Sequence, residues 1–157
     1  MLVAMQRRLH GQREDGFTLI ELMVVVLIIA ILIAIAIPTF LGARARAQDR
    51  AAQSNLRNAL TAEKTYYTDN QAYTQTTANL TSIEPSLKYN ADAAPANNNE
   101  IYVSASGDTV VLGSKSASGT CFYIKDIATT AGGSPGTYYA KGTCTAPSAT
   151  TVTGSAW

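Results

Sequence analysis

The sequence is poor in the residues that carry most enzyme chemistry. It has one histidine, His10, and two cysteines, Cys121 and Cys144. That is too few ligands for a His/Cys zinc site, and His10 alone is present to activate a serine or cysteine nucleophile. No phosphate-cradling glycine loop and no clustered acid pair is found. A basic excess is missing too. Twelve Lys+Arg stand against eleven Asp+Glu, for a net charge of +1, so bulk charge cannot displace the counterions of a nucleic acid. Charged residues make up only 15% and apolar ones 46%, which excludes a disordered polyampholyte. What is present is lopsided. The 157 residues are about one domain's worth, with a greasy front and a back rich in Ser, Thr, Ala, Gly and Asn.

The front begins with a short polar stretch carrying Arg7, Arg8 and Arg13. Sixteen consecutive apolar residues then run from Leu22 to Ile37, and counting from Phe17 the segment has 21 residues with only Thr18 and Glu21 polar. As a helix it spans roughly 30 Å, the thickness of a hydrocarbon core. It is apolar on every face, so it requires lipid or other protein around it. Three readings compete. A secretory signal peptide has a possible cleavage site at Ala34-Ile35-Ala36, but Arg44, Arg46 and Arg50 just beyond oppose export. A plain membrane anchor has three basic residues on each flank, so charge does not orient it. Neither gives a use to Glu21, since an acid in a spanning helix costs about 2.5–3.5 kcal/mol at the centre and less near the end. The third reading is a helix that needs Glu21.

Gly16-Phe17-Thr18-Leu19-Ile20-Glu21-Leu22, the apolar run and Pro38 together resemble the N-terminus of a type IV prepilin. The likeness extends from Gly16 to about Tyr73. It implies that a prepilin peptidase cuts between Gly16 and Phe17 and methylates the new Phe17 amine. The cut removes His10, three arginines and two acids, leaving nine basic and nine acidic residues. The resemblance also implies a role for Glu21: its carboxylate meets the Phe17 amine of a neighbouring copy. An unpaired carboxylate among packed apolar helices is very costly and a paired one much less so. Such a pair adds little absolute stability but penalises wrong axial registers. The competing reading is a Glu21 that reaches back to the lipid headgroups. Two features depart from the family pattern. Glu14 and Asp15 precede the junction where relatives carry a basic residue, and Ala30 stands where the helix often has glycine. Pro38 removes one ladder hydrogen bond and kinks or opens the helix. Relatives unwind here in the filament, and with Ala30 less unwinding is expected.

From Thr39 the pattern becomes amphipathic. Ala45, Ala52, Leu56, Ala59, Leu60, Glu63, Tyr66 and Tyr67 recur at steps of three and four, with Arg44, Gln48, Asp49, Arg50, Arg57 and Lys64 between them. One helix can therefore run from Phe17 to Tyr67, roughly 75 Å long. A domain of this size cannot bury it, so its front half must find lipid or other copies. The arginines Arg44, Arg46, Arg50 and Arg57 read as a solvated or subunit-bridging face, with anionic lipid or DNA as the minor alternative.

Asp69-Asn70 ends the helical pattern. A loop of 25–30 residues is expected up to Glu100, with Leu80, Ile83, Leu87 and Tyr89 folding part of it back. Strands are predicted at 101–106 and 109–114, joined through Gly107-Asp108, then at 119–126 and 137–141. The tail is low in complexity, and Trp157 suggests a hydrophobic contact. A small exported domain with two cysteines favours a Cys121–Cys144 disulfide over two free thiols, and relatives often close a C-terminal loop in this way. Eight tyrosines require places for their hydroxyls at borders or on the surface; a sugar-binding surface is the lesser reading. Asn79-Leu80-Thr81 is a glycan acceptor tripeptide given little weight. Asp108, Asp126 and Glu100 are candidates for calcium, but no ligand loop of EF-hand spacing exists, so no metal or cofactor is assigned.

The expected fold class is α+β. A long N-terminal α-helix has its front half in the membrane or a filament core, and its back half packs on a small antiparallel β-sheet. The parts are a leader at 1–16, a polymerisation helix at 17–38, an amphipathic helix at 39–67 and a globular β domain at 68–157. The resemblance implies a type IV pilus subunit that forms a helical filament of copies for adhesion, twitching motility or DNA uptake. It is processed by the peptidase, held as a single-pass cytoplasmic-membrane precursor, and passed by the inner-membrane assembly platform to the cell surface. The runner-up is a pseudopilin of a secretion or competence machine, where a tyrosine-proline pair usually follows the helix; here Tyr73 is followed by Thr74. From another class comes a monomeric membrane-tethered ligand-binding module. Enzymatic function is not expected.

Overall fold

A computed structural model describes residues 16–145 and 151–157; residues 1–15 of the leader, with His10, Glu14 and Asp15, lie outside the described residues. The elements are α1 (Leu19–Asn70), α2 (Thr77–Ile83), β1 (Lys88–Asn90), β2 (Glu100–Ser106), β3 (Thr109–Lys115), β4 (Cys121–Ile127), a short 3-10 turn (Thr130–Gly132) and β5 (Gly136–Gly142). Contacts divide the chain into two units, one ending at Phe40 and one from Leu41 to Trp157, and α1 contributes to both.

In the first unit the residues from Phe17 to Phe40 are exposed on every side. Helix is unbroken from Leu19 onward, with Pro38 inside it. The Thr39 hydroxyl donates to the Ile35 carbonyl at 3.1 Å, adding a side-chain donor in the turn that proline deprives of an N–H.

In the second unit α1 turns Ala52, Leu56, Ala59, Ala62 and Glu63 inward. Of the stripe expected from spacing, Ala52, Leu56, Ala59 and Glu63 are buried, Ala45, Leu60, Tyr66 and Tyr67 are half-buried, and Ala62 is added. The helix continues three residues past Tyr67 and stops at Gln71, whose φ of 56° is left-handed. The Gln71 N–H donates to the Tyr67 carbonyl at 2.8 Å, a C-terminal cap of the αL kind.

The sheet order is β1-β2-β3-β4-β5. β2 to β5 form an antiparallel meander. The predicted hairpin is present, with Ser106 opposite Thr109 and Gly107 alone of the two turn residues at positive φ, 57°. The sheet is nevertheless mixed, and the expectation of a purely antiparallel one is corrected. β1 pairs parallel to β2, Lys88 opposite Glu100. The loop expected up to Glu100, part of it folded back, thus contains α2 and an edge strand. A parallel return normally needs a longer connection; here residues 91–99 are folded tightly by side chains. Asn90 Oδ1 accepts from the N–H groups of Asp92 and Ala93, and Glu100 accepts from Asn90 Nδ2 and the Ala96 N–H. Asn55 of α1 donates to the Asn98 carbonyl at 2.8 Å.

Two apolar layers result. On one face Ile101, Val103, Val110, Leu112, Phe122 and Ile124 pack on Ala52, Leu56 and Ala59, joined by Tyr73, Leu80 and Leu87. On the other, Val111, Cys121 and Tyr123 pack with Val152 of the tail. β4 is therefore buried along its whole length. Gly113 lies opposite Tyr123, and a Cβ there would come within 2.9 Å of the ring; only glycine leaves room for it.

Candidate functional site

Apolar exposure is concentrated at the front of α1. Among the described residues, every large hydrophobic that is strongly exposed lies between Phe17 and Leu41, apart from Ile83 on α2. Mean hydropathy over an 18-residue window of this helix reaches 3.3, and that window has no residue buried within the chain. Side chains of this kind in water are unfavourable by about 25 cal/mol per Å², so this surface is built to be covered.

Phe17, immediately after Gly16, is 89% exposed and stands just outside the helix. Glu21 sits in the first turn. Its Oε2 accepts from the Thr18 N–H at 2.9 Å and from the Thr18 hydroxyl at 2.6 Å. The Glu21 N–H in turn donates to the Thr18 hydroxyl oxygen at 3.3 Å. This reciprocal arrangement is a capping box. It satisfies amides left open at the helix start and places an acid where the helix dipole favours one. Sequence reasoning passed over Thr18, although the Thr-x-x-Glu spacing is a recognised start signal. The structure therefore joins Thr18 to Glu21 and leaves Gly16 and Phe17 just ahead of the helix, while Pro38 lies far along it.

The remaining candidates are elsewhere. Cys121 and Cys144 are disulfide-bonded, with Cα atoms 5.1 Å apart. The bridge joins the start of β4 to the chain just after β5. Asp108 accepts from the Tyr67 hydroxyl at 2.8 Å and from the Thr129 hydroxyl at 2.5 Å. The Thr129 bond, then the Tyr67 bond, hold its carboxyl below the usual range. Asp126 is almost fully buried. It accepts from the hydroxyls of Tyr73 and Thr137, each at 2.5 Å, and from Lys64 Nζ at 3.1 Å. Burial, then the bond to Asp126, raises the Tyr73 hydroxyl well above the ordinary phenol range. With Glu100 engaged by Asn90 and Ala96, the three acids considered for calcium each serve hydroxyl or amide donors instead. Among the described residues no group of three His, Cys, Asp or Glu is placed to hold a metal.

Arg44, Arg46 and Arg50 are exposed. Asp49 between them accepts from the Ser118 hydroxyl at 2.5 Å, tying a tight turn to α1. Arg57 is not simply solvated, because its guanidinium lies 5.0 Å from the centre of the Trp157 ring. Trp157 packs edge-on against Phe122 and Tyr139 and donates Nε1–H to the Tyr123 carbonyl at 3.1 Å. The hydrophobic contact expected of it is present.

Residues 11–37 match the family described as the prokaryotic N-terminal methylation motif. The chain is 40% identical over 108 residues to the type IV wide pilus major component PilA4 of Thermus thermophilus, covering 69% of this chain and 78% of that protein. It is 48% identical over 61 residues to the type IV major pilin protein PilA of Myxococcus xanthus, covering 39% of this chain and 28% of that protein. It is also 33% identical over 73 residues to the type II secretion system core protein G of Pectobacterium carotovorum subsp. carotovorum, covering 46% and 47%.

Proposed function

Because the chain belongs to the type IV pilin family, we propose that it is the structural subunit of a pilus fibre, assembled by packing the front of α1 among copies of itself. The observation that carries this reading is the concentration of apolar exposure, among the described residues, in 17–41, with one acid at its start. A peptidase cut between Gly16 and Phe17 leaves a free amine at residue 17, four residues before Glu21. Methylation at Phe17 keeps that nitrogen basic. Within a sheath of apolar helices, Glu21 of one copy and the Phe17 amine of another satisfy each other in one axial register and leave two buried charges in any other. Before assembly the same helix spans the cytoplasmic membrane. An assembly platform in that membrane then extracts it. Adhesion, motility and DNA uptake are properties of the assembled fibre. A secretion pseudopilin is the second reading, favoured by the likeness to core protein G; the broader coverage of the wide-pilus component favours the pilus.

The test is mass analysis of fibres sheared from producing cells. The expected subunit begins at a methylated Phe17. A surface product that still begins at Met1, or one found only as single copies, overturns the reading. In the same preparation Glu21→Ala should leave membrane insertion intact while fibre yield or Phe17 methylation falls.

A further inference from the structure

The inward face of α1 is apolar except at Glu63. Its side chain is 0% exposed. A carboxylate removed from water needs several donors to remain ionised. Glu63 has one: the Thr74 N–H, donating to Oε2 at 3.2 Å, while Oε1 is buried with no partner. Among the described residues, the hydroxyl of Tyr89 on β1 is another buried side-chain polar atom left without a partner. Burial drives that phenol above its ordinary range, and the charges of Glu84 and Glu63 push it further.

The neighbouring groups are committed elsewhere. On α1, Lys64 bridges to Asp126, Tyr66 accepts from Asn79 of α2, and Tyr67 donates to Asp108. On the segment after α1, Tyr73 donates to Asp126 of β4. Glu84, at the end of α2, accepts from Ser86. Burial raises the Glu63 carboxyl to about 7, with the Thr74 bond opposing, and no cation enters the balance.

We propose that Glu63 is a proton-operated latch between α1 and the segment 74–90: the neutral acid closes this contact, and its ionisation loosens α2 and β1 from the helix. The neutral acid places no charge in the core and keeps its one bond from the Thr74 N–H. Ionised, it leaves an uncompensated charge on a fully buried side chain of α1, the helix whose Leu56 and Ala59 share a core with Leu80 and Leu87 of the segment. The direction with pH follows. Unfolded, the carboxyl titrates near 4.5, and folded near 7. Between these values the folded chain holds a proton that the unfolded chain has lost. The stabilisation is complete below pH 4.5, declines as pH rises, and is gone above about 7. The difference corresponds to a change on the order of a hundredfold in the opening equilibrium.

The latch goes beyond the pilus reading and is tested without it, on the full chain as a monomer in detergent micelles. Carbon-13 titration of the Glu63 side-chain carboxyl should give a midpoint above 6; a midpoint in the ordinary carboxylate range overturns the proposal. Hydrogen exchange, expressed as protection factors, should show residues 74–90 losing tens of fold between pH 5 and pH 8. Glu63→Gln, which keeps the shape without the charge, should abolish that loss. An equal loss in Glu63→Gln, or no loss in the unsubstituted chain, also overturns it. If the variant fails to fold, the titration and exchange of the unsubstituted chain decide.

Discussion

Asp126 and Lys64 illustrate how differently two partners of one ion pair contribute. Asp126 is nearly buried and holds the hydroxyls of Tyr73 and Thr137, whereas the Lys64 side chain is 51% exposed. Removing the acid strands the buried Tyr73 hydroxyl and the half-buried Thr137 hydroxyl, and removing the lysine returns one flexible ammonium to water. Asp126→Ala should therefore lower stability by about 2–4 kcal/mol, and Lys64→Ala by less than about 1 kcal/mol. Denaturant unfolding of both variants checks the contrast; equal losses would assign the stability to the ion pair itself. The same scale separates what is readable in a sequence from what is not. Glu63 could be placed on the inward face because it falls in step with Leu56, Ala59 and Leu60. Its lack of donors could not be read, because that depends on what β1 and the segment after α1 bring near it.

At the scale of elements, the hairpin between β2 and β3 was legible because two apolar runs flank a Gly-Asp pair and only glycine takes the positive φ there easily. The end of α1 was legible to within three residues, and Asn70-Gln71 supplied the stop. The parallel β1 was not. Its three residues lie among Thr, Ser and Asn without a period of their own, and their pairing is imposed by Leu80 and Leu87 docking on α1 and by the Asn90 and Glu100 bonds. The disulfide acts at this scale too. It ties β4 to the end of β5 across a sequence separation of 23, on the far side of the sheet from α1. Reduction should cost about 3 kcal/mol on the entropic account. Limited proteolysis should then cut the exposed 129–136 loop sooner while α1 within the sheet-bearing unit survives; unchanged resistance would show that the bridge does not staple this region. Trp157 is the single tryptophan, and its fluorescence reports whether the tail remains docked during the same experiment.

For the molecule as a whole, the decisive asymmetry is between the two units. From Gly42 onward, Ile83 is the one large hydrophobic that is strongly exposed among the described residues. The sheet-bearing unit therefore has little reason to associate in water, and the front of α1 has little reason to stay alone. A chain beginning at Gly42 should sediment as a soluble monomer, whereas the full chain needs detergent or its own copies. Oligomers of the shortened chain would reveal an association surface outside the front of the helix. The Thr18 cap adds a matter of timing. An acid already satisfied inside its own chain can wait in lipid without recruiting an unintended companion. Under the pairing proposed above, each protomer carries a placeholder for its neighbour's ammonium, and a reservoir of idle protomers can accumulate until assembly draws on them.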